Sequence, residues 1–105
     1  MSIQKSSNPK KKYMIKVNYN NQTKTIHFGA EGYKDYTVYY KELGKEEADK
    51  KKNAYIARHK VNENFNDPLT AGFWSYHILW AEPTITGSLR KVLNKYSSIK
   101  LEKIE

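Results

Sequence analysis

Cysteine is absent from this chain of 105 residues, which excludes a disulfide framework, thiol catalysis and any zinc site built on thiolates. A reducing compartment fits that composition. Arginine is nearly absent too, since Arg58 and Arg90 are the only two. Arginine is the usual bidentate reader of guanine, so base-specific recognition is disfavoured more strongly than contact with a phosphate backbone. Long apolar runs are also missing. None approaches the roughly 20 residues of a membrane span, and residues 1 to 12 lack the apolar centre of a signal peptide. No transmembrane segment is expected.

The motifs of common chemistries are missing as well. There is no G-x-S-x-G elbow, and Gly72-Phe73-Trp74-Ser75 falls inside a predicted helix rather than on a strained turn. His27, His59 and His77 are the only histidines, and none stands at paired metal-site spacing such as H-E-x-x-H. His77 is expected to be a hydrogen-bonded core residue. Gly29 and Gly32 follow a strand, yet the G-x-G-x-x-G and Walker spacings are absent and no lysine follows the second glycine directly. They read as turn glycines. An enzymatic site at Gly29 to Tyr36 would need His27 and a carboxylate to converge on a deep pocket; no catalytic residue, metal or cofactor is expected, and the chain reads as a non-enzyme.

What the chain does have is positive charge: 19 basic against 11 acidic residues give a formal net charge of +8. Such an excess spreads a positive potential over much of a small protein and favours nucleic acid, anionic lipid or acidic protein surfaces as partners. The cations are clustered. Lys10, Lys11 and Lys12 form one run; Lys50, Lys51 and Lys52 form another, extended by Arg58, His59 and Lys60; Arg90, Lys91 and Lys95 form a third. Glu46, Glu47 and Asp49 partly offset the central run, as on an ordinary solvated helix face. The candidate nucleic-acid-binding residues are Lys10, Lys11, Lys12, Lys50, Lys51, Lys52, Arg58 and Lys60. Tyr33 and Tyr36, flanking Lys34, are candidate interface residues that could offer stacking faces to bases or packing faces to a protein.

The length fits one small domain. Residues 1 to 12 carry four lysines and, after Met1, the single aliphatic Ile3, so they are predicted to form a flexible basic arm ahead of a domain over 13–105. Tyr13, Ile15, Val17 and Tyr19 alternate with polar residues as a half-buried strand does. Asn20-Asn21-Gln22 is a turn, because asparagine tolerates left-handed backbone angles, and Thr23 to Phe28 returns as the second strand of a hairpin with Ile26 and Phe28 inward. The tyrosine-rich segment Tyr33 to Tyr40 could be a third short strand.

Lys45 to Lys60 is predicted as a surface helix with a narrow apolar stripe. Both tryptophans lie in Asn66 to Trp80, where Asp67 as N-cap and Pro68 as first helical residue predict a buried helix. Phe73, Trp74, His77, Ile78 and Ala81 share one side of it, with Leu69, Tyr76 and Trp80 on another. Glu82-Pro83 ends it. Ile85, Leu89, Val92, Leu93 and Tyr96 predict a third helix capped by Thr84 or Thr86, and Ile99 to Ile104 could add a strand or fray. The expected fold is α+β, an N-terminal β-hairpin or three short strands packed on about three helices.

Several segments taken in order carry a resemblance: Gly32-Tyr33-Lys34-Asp35-Tyr36-Thr37, Tyr55-Ile56-Ala57-Arg58-His59-Lys60, Asn66-Asp67-Pro68-Leu69-Thr70-Ala71-Gly72-Phe73-Trp74-Ser75, and Leu79-Trp80 with Pro83-Thr84. Across about residues 12 to 90 the chain resembles a family of small, basic, functionally uncharacterised proteins encoded by giant nucleocytoplasmic large DNA viruses and their algal or protist relatives. It departs from that family's pattern at Tyr76-His77 and at Val38 to Lys41. The resemblance implies a viral protein in the virion and the host-cell cytoplasm, and supplies no catalytic residue.

The residues and the resemblance together predict a non-enzymatic viral protein that binds DNA, duplex DNA first, through backbone phosphates without strong sequence preference, in genome packaging or organisation. The alternative is a small minor capsid or virion structural protein that bridges larger, acidic shell proteins.

Overall fold

The computed structural model describes residues 3–104. The fold is α+β: strands β1 (Ile3–Lys5), β2 (Lys11–Tyr19) and β3 (Gln22–Ala30), helices α1 (Tyr36–Leu43), α2 (Lys45–His59) and α3 (Ala71–Trp74), a π-helical turn over Ser75–Leu79, helix α4 (Ile85–Lys95), and strand β4 (Lys100–Glu102). β2 pairs antiparallel with β3 along one side. On its other side it pairs with β1 at Tyr13 to Ile15 and with β4 at Lys16 to Asn18, so β1 and β4 lie end to end against one strand.

The alternation along β2 buries Ile15 and Val17, and along β3 Ile26 and Phe28, which gives the sheet one apolar face. Asn20 and Asn21 take φ of 51° and 63° and join Tyr19 to Gln22. Two successive left-handed residues make the primed turn whose twist matches the strands it joins, as the asparagines predicted. Helical residues Phe73, Trp74, Ile78 and Leu79 cover the apolar face, and Tyr36, Ala48, Tyr55, Trp80 and Val92 join the same core, with Ile3 and Ile99 at its margin.

Residues 3 to 12 are not a flexible arm. Ile3 is only 8% exposed and faces Ile15 in register. The Ser6 Oγ accepts from the Asn8 N–H at 3.0 Å, and Asn8 Oδ1 accepts from the Lys10 N–H at 2.9 Å, so small polar side chains close the turn that composition presents as loose. A count of apolar side chains overlooks this, because main-chain pairing along β2 does most of the holding. Met1 and Ser2, the start of the predicted arm, lie outside the described residues.

The third strand expected over Tyr33 to Tyr40 is instead α1. Asp35 caps it, accepting from the Thr37 N–H at 3.0 Å and the Val38 N–H at 3.4 Å, and Tyr36 and Tyr40 meet edge to face at 5.7 Å, one helical turn apart. The cap outweighs the strand preference of the tyrosines and Val38.

The buried helix starts at Ala71 rather than Pro68, with Thr70 as N-cap. Asp67 serves the preceding turn, accepting from the Leu69 N–H at 3.0 Å, while the Pro68 carbonyl accepts from the Trp74 indole at 2.8 Å. The helix then widens into the π-helical turn and stops at Trp80, short of the predicted end at Glu82-Pro83. Gly29 marks the tightest approach of sheet to helix. Its φ is +80°, a side-chain Cβ there would lie 2.8 Å from Leu79 Cδ1, and its N–H donates to Ser75 Oγ at 3.2 Å; close packing, more than a turn, requires this glycine.

His77 is the core histidine the sequence predicts. Its Nε2–H donates to the Phe65 carbonyl at 2.9 Å, and burial first, then the charges of Lys95 and Lys91, hold its pKa below the usual 6.5. The unfolded chain therefore takes up a proton below 6.5 that the folded chain refuses, so stability is full above that pH and declines as pH falls towards the lowered folded value. The melting temperature is expected to fall between about pH 7 and about pH 5.5. In His77→Gln, which keeps a donor and does not titrate, that fall should be smaller; equal slopes in the two proteins would remove His77 as the cause.

Candidate nucleic-acid interface

Between the Lys11/Ala30 end of the sheet and α2 lies a groove of about 690 Å³. Lys11 and Lys12 of β2, with Lys34 of the loop after β3, reach it from one side; Lys51, Arg58 and His59 of α2 reach it from the other. Along α2, residues 51, 55 and 58 recur at helical spacing and share one face. Lys51 and Arg58 therefore stand on either side of Tyr55 and point the same way.

The floor is aromatic. The Tyr55 ring is sandwiched between Trp80 at 4.4 Å and His59 at 4.3 Å, which ties α2 to the end of the π-helical turn. Burial, then the charge of Glu63, pushes the Tyr55 hydroxyl well above the ordinary phenol range, so it stays neutral. Tyr39 adds a further ring, with the Lys51 ammonium 5.4 Å from its centre.

Two carboxylates share the groove with these cations. Asp35 is buried and binds Lys12 Nζ at 2.8 Å while it caps α1, so this pair fixes the loop between sheet and helix. Glu63 Oε2 lies 3.2 Å from His59 Nδ1, and the Glu63 side chain packs on Gly72, where a Cβ would come within 3.1 Å of it. Lys34 Nζ is held by Glu42 at 2.7 Å, on the exposed surface. Among the described residues, Lys11, Lys51 and Arg58 form no salt bridge. Their charge is open to a ligand.

Of the eight candidate binding residues, the structure brings Lys11, Lys12, Lys51 and Arg58 together on this groove. Lys10 sits in the turn before β2, Lys60 follows the end of α2, and Lys50 pairs with Glu47 at 3.1 Å outside it. Lys52 lies on another side of α2, donating to the Ala81 carbonyl at 2.9 Å with its ammonium 5.0 Å from the Tyr36 ring centre. Consecutive helical residues are turned by about 100°, so a run of three lysines cannot face one ligand together.

Tyr33 lines the groove and is 75% exposed. Tyr36 is not an interface residue: it is 4% exposed and donates to Asp49 Oδ1 at 2.7 Å. Burial, then that hydrogen bond, pushes its hydroxyl up to about 12. His27 is held on the sheet by the Ser6 hydroxyl at 2.6 Å and does not line the groove, so the enzymatic arrangement considered for Gly29 to Tyr36 lacks its histidine. The cations Lys91 and Lys95 of α4 also lie elsewhere, Lys91 paired with Glu82 at 3.0 Å.

The sequence reading missed Lys34 as a groove cation and the His59–Glu63 contact. The second carries a local signal, an acid and a base four residues apart at a helix end; the first depends on how the loop folds back. Among the described residues, no three His, Asp or Glu side chains gather as metal ligands, and no helix is long and apolar enough to cross a membrane.

Residues 1–42 match the model of a family of unknown function (DUF5754), a span that includes the sheet side of the groove as far as Tyr39. No curated protein and no solved structure matches the chain.

Proposed function

We propose that the protein is a non-enzymatic, sequence-tolerant DNA-binding protein that contacts backbone phosphates through the groove between the sheet and α2, in the packaging or organisation of a viral genome. The observation that carries this reading is the convergence of Lys11, Lys51 and Arg58, without salt-bridge partners among the described residues, from two elements far apart in sequence. Lysines scattered for solubility have no reason to converge on a concave surface. Two fixed walls, one set by the Lys12–Asp35 pair and the other by the Trp80–Tyr55–His59 stack, hold in place the elements that carry those charges, and such preorganisation of the backbone lowers the ordering cost of binding.

The viral setting rests on the resemblance described above. A capsid-bridging protein would use tyrosines and an extended N-terminal arm as its interface; residues 3 to 12 are instead paired along β2 and closed by a turn, and Tyr36 is buried, which leaves Tyr33 alone for that role, so the converging cations favour DNA. Each phosphate neutralised lowers log affinity by about 0.9 per unit of log salt on a duplex and about 0.7 on a single strand, so three contacts give roughly a 20- to 40-fold loss between about 50 and about 200 mM salt. Anisotropy titrations of a labelled DNA oligonucleotide across that range provide the check. Absence of binding at micromolar protein in low salt would sink the proposal.

A further inference from the structure

Tyr33 lines the groove as an exposed ring. It is 75% exposed and takes part in no ring–ring contact among the described residues, yet its loop is firmly held. The Tyr33 N–H donates to the Ala30 carbonyl at 3.3 Å, the Glu31 N–H donates to the Lys10 carbonyl at 3.0 Å, and Asp35 anchors the far end through Lys12 and the cap of α1. Gly32, at φ +86° with open space around it, lets the chain turn there. A fixed loop thus presents a bare aromatic ring at the rim of a cationic groove.

The other rings of the groove are already engaged. Tyr55 has Trp80 and His59 on its faces, and Tyr39 carries the Lys51 ammonium. Tyr33 is the groove's unoccupied stacking platform. A groove of about 690 Å³ is of the size that encloses a small ligand and far too small for a double helix, which would touch only its rim. Bases in a duplex are stacked on one another, whereas unpaired bases leave their faces open to an aromatic side chain.

We infer that the groove takes single-stranded DNA, with one base stacked on Tyr33 and the adjoining phosphates on Lys11, Lys51 and Arg58. This rests on the phosphate-binding reading above and names the form of DNA that it serves. Stacking tolerates any base, because every base has a π face, so the groove binds unpaired DNA of unrelated sequences alike.

The test is a fluorescence-anisotropy titration of the full chain with a short single-stranded DNA oligonucleotide and with its blunt duplex, at one low salt concentration. The single strand is expected to bind at least about tenfold more tightly, Tyr33→Ala to lose about that factor for the single strand alone, and Tyr33→Phe to retain it. Tyr33 is exposed, so neither variant disturbs the core. Equal or tighter binding of the duplex, or a single-strand advantage that survives Tyr33→Ala, overturns the inference and leaves phosphate binding standing. If neither oligonucleotide binds, the phosphate reading falls and the inference falls with it.

Discussion

Trp74→Ala is expected to destabilise the protein by about 3–5 kcal/mol, the range for truncating a large buried aromatic. Its ring is fully buried, meets Phe73 edge to face at 5.1 Å, and donates its indole N–H to the Pro68 carbonyl at 2.8 Å. Truncation removes the packing, opens a cavity between sheet and helix, and leaves the Pro68 carbonyl without its donor. Total stability in small domains is on the order of 5–15 kcal/mol, and a short chain has little core to spare. A loss of this size takes a large share of the margin. Urea unfolding followed by circular dichroism measures it, and Trp74→Phe, which keeps most of the volume but not the hydrogen bond, should lose less. A loss below about 1 kcal/mol for the alanine variant would mean that the core does not depend on this ring.

Side-chain periodicity made the hairpin, α2 and α4 legible in the sequence. Ile15, Val17, Ile26 and Phe28 face inward as their alternation requires, and Thr84 caps α4, accepting from the Gly87 N–H at 3.0 Å. Of the two outcomes open for Ile99 to Ile104, a strand or fraying, the strand forms as β4. Three features were misread where a few local hydrogen bonds outweigh pattern. Ser6 and Asn8 close a turn within residues taken for an arm; Asp35 caps a helix within residues rich in strand formers; Thr70 rather than Asp67 caps the buried helix. Each of these polar residues is visible in the sequence, but which backbone groups it serves depends on tertiary placement.

The groove was legible only in part. Lysine clustering pointed to Lys11, Lys12, Lys51 and Arg58 but also to Lys10, Lys50, Lys52 and Lys60, and helical geometry separates the two sets. Of the two tyrosines flanking Lys34, one is buried against Asp49 and the other stands on the groove rim. Composition alone cannot make that distinction, since it depends on where α1 begins.

Reversing the charge of Lys11, Lys51 and Arg58 together is expected to weaken DNA binding by more than about 100-fold at low salt. A unit charge pair at contact distance contributes about 1 kcal/mol even in bulk water, and each reversal replaces one attraction by a repulsion. Net charge alone would also reduce binding, so the informative measurement sets this variant beside one of equal net charge. Lys5, Lys41 and Lys100 are exposed, lie outside the groove and, like the groove triple, form no salt bridge among the described residues.

The direct test is therefore a pair of anisotropy titrations with the same DNA oligonucleotide, using Lys11→Glu/Lys51→Glu/Arg58→Glu and Lys5→Glu/Lys41→Glu/Lys100→Glu, with the fold of each checked by circular dichroism. A loss of more than about 100-fold for the groove triple and less than about tenfold for the outer triple is the expected result. Equal losses in the two would show that charge acts from the whole surface, and would contradict a binding groove between the sheet and α2.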